Sequence, residues 1–204
     1  GVIITVEDPI EYVYTHGKSA VKQREVGADT HTFSAALKYA LRQDPDVIMV
    51  SELRDMETIQ AAITAAETGH LVLGTLHTID APRSLDRLID VFPAAQQSQI
   101  IAQLANCLRA VVSQRLIKVG KSRERVLAEE VMIVNHPIRN CIRERKFEQI
   151  DGLIEIGGKD GMFTIDHHLC ELIRKKKITV EEAYTASRDK TVIDNFLKNR
   201  RTNI

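Results

Sequence analysis

Tryptophan is absent from this 204-residue sequence, aromatic residues make up 4% of it, and 28 Lys and Arg are matched by 28 Asp and Glu. With a formal net charge of +0, no whole-molecule field draws the chain to a polyanion, so broad binding to nucleic acid or to an anionic membrane surface is not expected. No apolar run approaches the roughly 20 residues of a membrane-spanning helix. A representative long run, Leu71-Val72-Leu73-Gly74-Thr75-Leu76, has the length of a strand. No charged-then-apolar leader opens the sequence, so a soluble, cytoplasmic protein without membrane insertion is expected. The cysteines Cys107, Cys141 and Cys170 are odd in number and far apart, which excludes a disulfide framework and a C-x-x-C metal knuckle and predicts buried free thiols. G-x-x-x-x-G-K-S/T is missing, as are G-x-S-x-G, H-E-x-x-H and G-x-G-x-x-G. Without the first, these residues alone are expected to hold a nucleotide poorly, because its backbone N–H groups and lysine cradle phosphates.

What is present is ordinary globular composition, 44% hydrophobic and 27% charged, enough for one core or two small ones. Residues 2–6, 47–50 and 71–76 are short, apolar and rich in β-branched side chains, which predicts buried strands of a parallel sheet. Gly1 leads straight into the first of them, so a segment upstream is expected. Between the second and third, Ile59, Ala62, Ile63 and Ala66 recur at helical spacing with Gly69 as a stop, giving a β-α-β unit. A helix through Ala36, Leu37, Ala40 and Leu41, capped by Thr32 or Ser34, precedes the second strand and ends at Asp44-Pro45. Further helices are predicted through Leu85, Leu88 and Ile89, and through Ile100, Leu104, Leu108, Val111 and Val112. A last strand, 126–134, is expected to close the α/β portion. From residue 135 the pattern turns to short amphipathic helices, including one behind the capping box Thr179-Val180-Glu181-Glu182, with residues 198–204 fraying. The expected domains are therefore 1–134 and 135–204.

Each buried strand is followed by a chemically able residue: Glu7-Asp8-Pro9, Ser51-Glu52 and His77-Thr78. Ligands of open parallel sheets bind beyond the carboxyl ends of the strands, so these tips should converge. Two carboxylates and a histidine there suit metal-assisted phosphate chemistry, with a hard magnesium ion on oxygen and a second carboxylate orienting a water. Arg54 is a candidate for stabilising phosphate charge. The alternatives at each position are structural: Asp8 before Pro9 starts turns, a lone histidine commonly makes a hydrogen bond in a loop or core, and carboxylates can bind calcium or pair with arginine.

The stretches Ile4 to Tyr12, Gln23 to Gly27, Leu41 to Asp55 and Ala65 to Thr78, in that order, resemble the secretion-type AAA-like ATPases of type II secretion and type IV pili. Ile138-Arg139-Asn140-Cys141-Ile142-Arg143-Glu144 is similar to the C-terminal A-I-R-N-L-I-R-E signature of the retraction ATPases of twitching motility. The resemblance extends over essentially the whole chain. It implies a RecA-like P-loop NTPase core with a parallel sheet, lacking its N-terminal part and Walker A loop, plus a small C-terminal helical subdomain. It also implies ATP and Mg2+ as cofactors. Residues 4–11 then match an aspartate box, 46–55 a Walker B region and 70–78 a histidine box. Glu7 would act in catalysis, Glu52 would bind Mg2+ and help activate water, and His77 would sense the terminal phosphate. Arg54 and Asp55 would serve nucleotide and phosphate sensing. Ile138, Arg139, Asn140, Ile142, Arg143 and Glu144 would couple hydrolysis to movement. The family works as a homohexamer in the cytoplasm at the inner-membrane base of the pilus, against a platform protein of that membrane.

Two departures from the family pattern stand out: Ser51 in place of glycine, and Asn135-His136-Pro137 ahead of the signature. The missing phosphate loop keeps open a catalytically inactive ring-interaction module. A motor for pilus extension or type II secretion also stays open, although many of those carry a four-cysteine zinc insertion that three scattered cysteines cannot supply. The fragment by itself is expected to be inactive.

Overall fold

The computed structural model describes residues 1–120 and 123–202, the last three of them as backbone only. The chain divides into two compact units, Gly1–His77 with Asp86–Leu108, and Thr78–Leu85 with Arg109–Ile204.

In the first unit, β1 (Val2–Glu7), β2 (Ala20–Glu25), β3 (Val47–Val50) and β4 (Leu71–Gly74) form an all-parallel sheet in the order β2-β1-β3-β4. The register sets Val6 beside Val50 and Ile48 beside Val72, so alternate side chains share one face. That face supplies Val6, Ile48 and Val50, which close a core with Phe33, Ala36 and Leu37 of α1 (Phe33–Ala40) and Ala65 of α2 (Met56–Glu67). Burying each such aliphatic side chain contributes about 1.5–3 kcal/mol. Thr32 caps α1 by accepting the Ala35 N–H at 3.1 Å, and Gly69, at φ +101°, supplies the left-handed turn after α2. On the other face Leu71 and Leu73 of edge strand β4 are 51% and 50% exposed.

Two corrections to the sequence reading concern the next segment. α3 (Ala81–Asp90) and α4 (Ala94–Cys107) form as expected, but α4 stops at Cys107 with Leu108 extended, and Val111 and Val112 lie in strand β5 (Ala110–Lys118). Ser113 and Ile117 are buried there while Val112 and Leu116 are exposed, a period of two that overrides the helical reading. The last strand forms as β6 (Arg125–Ile133), but antiparallel to β5 in a separate two-stranded sheet rather than in the parallel one. Strand β2 is an addition to the expected elements: its residues Ala20-Val21-Lys22-Gln23-Arg24-Glu25 carry too little apolar periodicity to announce it.

The second unit packs that hairpin against helices: Ile117 and Ala128 share a core with Leu169, Ile173 and Ile193. Its helices are α5 (His136–Glu144), α6 (Ile150–Ile156), α7 (Ile165–Arg174), α8 (Val180–Ala186) and α9 (Lys190–Thr202). Asn135 caps α5, Thr164 caps α7, and Thr179 with Glu182 forms the predicted capping box of α8. All three cysteines are free; Cys141 and Cys170 are buried and Cys107 is partly so. Fraying was expected over 198–204. Helix α9 is drawn to Thr202, and Asn203 and Ile204 lie outside the described residues.

A buried charge cluster ties this unit together. Arg188, between α8 and α9, lies 3.2 Å from Asp80, 3.3 Å from Glu130 on β6 and 3.0 Å from Asp151 on α6. Glu130, 1% exposed, also accepts the Ala81 N–H, and buried Asp166 accepts the Arg188 and Asp189 N–H groups. Burial pushes the Glu130 carboxyl above the ordinary value of 4.5, only partly opposed by the Ala81 N–H and Arg188. A raised folded-state pKa means ionisation costs more in the folded than the unfolded chain. The stability Glu130 contributes is therefore complete below pH 4.5 and is lost as pH rises through the folded value. Glu130→Gln is expected to flatten that decline. Melting curves recorded between pH 4 and 7 test this, and parallel curves for the two proteins would remove Glu130 from the pH dependence.

Candidate functional site

The parallel register brings the ends of β1, β3 and β4 to one edge of the sheet. The Ser51 N–H donates to the Val6 carbonyl at 2.9 Å and the Leu53 N–H to the Thr75 carbonyl at 3.0 Å, so the post-strand segments remain laced together. The Thr75 hydroxyl adds a bond to the Ser51 carbonyl.

Glu52 sits between a guanidinium and an imidazole. Its Oε2 is 2.5 Å from an Arg54 guanidinium nitrogen and its Oε1 is 3.3 Å from His77 Nε2. The Arg54 guanidinium holds the Glu52 carboxyl below the usual carboxylate range, against a smaller opposing effect of burial, with His77 adding to the lowering. Arg54 is itself raised, first by Glu52, and it also feels the Asp8 carboxylate beyond β1. His77 is 82% exposed at its side chain, poised at the rim.

Glu7 is held differently. It is 5% exposed, and its Oε1 accepts the Thr5 hydroxyl at 2.6 Å and the Gln23 amide at 2.9 Å. Both donors are neutral. The structure thus brings Glu52, Arg54 and His77 into direct contact and sets Glu7 at the end of the adjacent strand with its own partners. Asp55 turns the other way: its carboxylate caps α2, accepting the Thr58 N–H at 2.8 Å and the Thr58 hydroxyl at 2.9 Å, so its oxygens are occupied structurally.

The six signature residues lie in the second unit, on α5. Ile138 and Ile142 are fully buried and hold the helix down. Arg139 is half-buried, while Asn140, Arg143 and Glu144 are exposed, with Glu144 paired to Lys146 at 2.6 Å. Sequence reasoning did not single out Gln23 as a site residue. The signal was hidden because the Thr5–Gln23 pairing exists only once β2 is placed beside β1.

Among the described residues, no three His, Cys, Asp or Glu side chains gather as a metal cage. A single carboxylate such as Glu52 is nonetheless compatible with Mg2+, which takes few protein ligands and keeps most of its waters. Among those residues no helix is long and apolar enough to cross a membrane.

The family model described as "Type II/IV secretion system protein" matches residues 1–202. The chain is 48% identical over 181 residues to the "Twitching motility protein" of Neisseria gonorrhoeae, covering 89% of this chain and 48% of that protein. It is 51% identical over 182 residues to the "Type IV pilus retractation ATPase PilT" of Pseudomonas aeruginosa, covering 89% and 52%. The solved structure of the pilus retraction motor PilT with bound ADP superposes with a TM-score of 0.82 at 48% identity, over 93% of this chain and 53% of that one. The chain spans about half the length of the curated relatives it matches.

Proposed function

This chain belongs to the type II/IV secretion system protein family, and from that premise we propose that it forms part of an ATPase that powers type IV pilus retraction. The observation that carries the reading is the Arg54–Glu52–His77 contact at the carboxyl edge of a parallel sheet, in a chain half identical to a retraction ATPase. The proposal includes Mg2+ as cofactor, a homohexamer, a cytoplasmic seat at the inner-membrane base of the pilus, and a platform protein of that membrane as partner.

Phosphoryl transfer to water asks the protein chiefly for positioning and for charge opposite the terminal phosphate. Glu52 is the residue that would hold Mg2+, and Arg54 beside it would face the phosphates. Bound there, Mg2+ would neutralise phosphate charge as a Lewis acid. His77, exposed and tethered to Glu52, would donate to a terminal phosphate oxygen and lose that contact after hydrolysis. Glu7, held at Oε1 by two neutral donors, would accept a proton from the attacking water at Oε2. Phosphate cradling is assigned to residues outside this sequence, since it holds no G-x-x-x-x-G-K-S/T loop.

Two measurements on the complete gene product test the reading. Mg2+-dependent ATP release of phosphate is expected, and loss of the gene is expected to abolish twitching; a strain that retracts normally without it would sink the assignment. Alanine at Arg139 and Arg143 is expected to leave hydrolysis largely intact while stopping retraction. Equal collapse of both activities would place those arginines in catalysis or folding instead.

A further inference from the structure

We propose that Gln23 is a positioning residue for Glu7, fixing the carboxylate and tying it to the loop between β1 and β2. The inference rests on the reading that Glu7 takes a proton from water. It starts from the register: Gln23 on β2 stands beside Thr5 on β1, and Glu7 follows two residues later, so all three side chains share one face of the sheet. Gln23 uses its amide in full. One Nε2 donates to Glu7 Oε1 at 2.9 Å and to the Tyr12 carbonyl at 2.8 Å, while Oε1 accepts the Tyr14 N–H at 2.7 Å. The opposite amide orientation would set a carbonyl against a carboxylate and a second carbonyl, so the network admits one.

The chemistry of these donors matters. A hydroxyl and an amide fix Glu7 Oε1 without bringing a positive charge, unlike the guanidinium on Glu52. Both donors bond Glu7 Oε1, and among the described residues none bonds Oε2, which leaves that oxygen open to a water, the arrangement a base requires. The same amide reaches the backbone on either side of Val13, in a loop whose Tyr12 and Val13 are 74% and 86% exposed. A second tether, Ile10 N–H to Glu25 Oε2 at 2.9 Å, holds the start of the loop. Displacing residues 12–14 would pull the amide, and with it the orientation of the carboxylate. Gln23 thus joins an exposed loop to a proposed proton acceptor through a single side chain.

The test is steady-state ATP hydrolysis by the complete gene product carrying Glu7→Gln, Gln23→Ala, Thr5→Val or Thr5→Ser. Glu7→Gln should lower kcat by at least about 100-fold. Gln23→Ala and Thr5→Val should each lower kcat by about 10- to 100-fold with KM for ATP little changed, and Thr5→Ser, which keeps the hydroxyl, should restore it. Wild-type turnover in Glu7→Gln overturns the reading beneath the proposal. A crippled Glu7→Gln alongside wild-type kcat in Gln23→Ala and Thr5→Val overturns the positioning role alone, as does a defect confined to KM. Should Gln23→Ala fail to fold, Gln23→Met, which keeps the length of the side chain without its amide, decides in its place.

Discussion

Glu52→Gln in the complete gene product is expected to reduce Mg-ATP turnover by two or more orders of magnitude with little change in melting temperature. Glutamine preserves the volume and can still accept from Arg54, but it removes the formal charge that Arg54 and His77 face and that Mg2+ would need. The pair is solvent-facing, with the Arg54 and His77 side chains 56% and 82% exposed, so its worth to folding is small. A loss of kcat with stability retained therefore separates chemistry from structure. Turnover at the wild-type rate would take Glu52 out of the mechanism and leave the Arg54 and His77 contacts as surface pairing.

Arg188→Met is expected to have the opposite signature, a loss of stability of about 3 kcal/mol and a fall in melting temperature of roughly 10 °C. Methionine fills much of the space of the aliphatic stem yet leaves Asp80, Glu130 and Asp151 facing one another without their shared cation. Glu130 matters most, because at 1% exposure water cannot take over from the guanidinium. Adding Glu130→Gln to the Arg188 variant should recover a substantial part of the loss, since the buried charge is then gone. Chemical denaturation of the two single variants and the double variant measures this. Strict additivity would mean that the two residues do not act on one another.

Interactions between residues close in the chain leave a pattern in the sequence, and those between distant residues do not. Strands β1, β3 and β4 were legible because Ile, Val and Leu crowd short runs, and α1 and α2 because cap residues and apolar spacing agree. From those alone, the meeting of Glu52 with His77 could be anticipated. Strand β2 could not: with Lys22, Arg24 and Glu25 in it, only pairing with β1 makes it a strand. Val111 and Val112 continued the helical spacing of α4 by coincidence, and hairpin pairing decided their state. The Arg188 cluster draws on residues 80, 130, 151 and 188, separations at which no local pattern survives. Asp55 is the instructive middle case. Its place in a family motif suggested phosphate sensing, while Asp followed three residues later by Thr58 also spells a helix cap, and the cap is what its oxygens serve.

The half-uncovered leucines of β4 have a practical consequence. A sheet edge offers unpaired backbone donors and acceptors, and here it comes with Leu71 and Leu73 at 51% and 50% exposure and no charged side chain within Leu71–Gly74 to repel a neighbour. Taken by themselves, these 204 residues are expected to self-associate through this ribbon as concentration rises, and Leu73→Lys is expected to keep them monodisperse in light scattering without touching Glu7, Glu52 or His77.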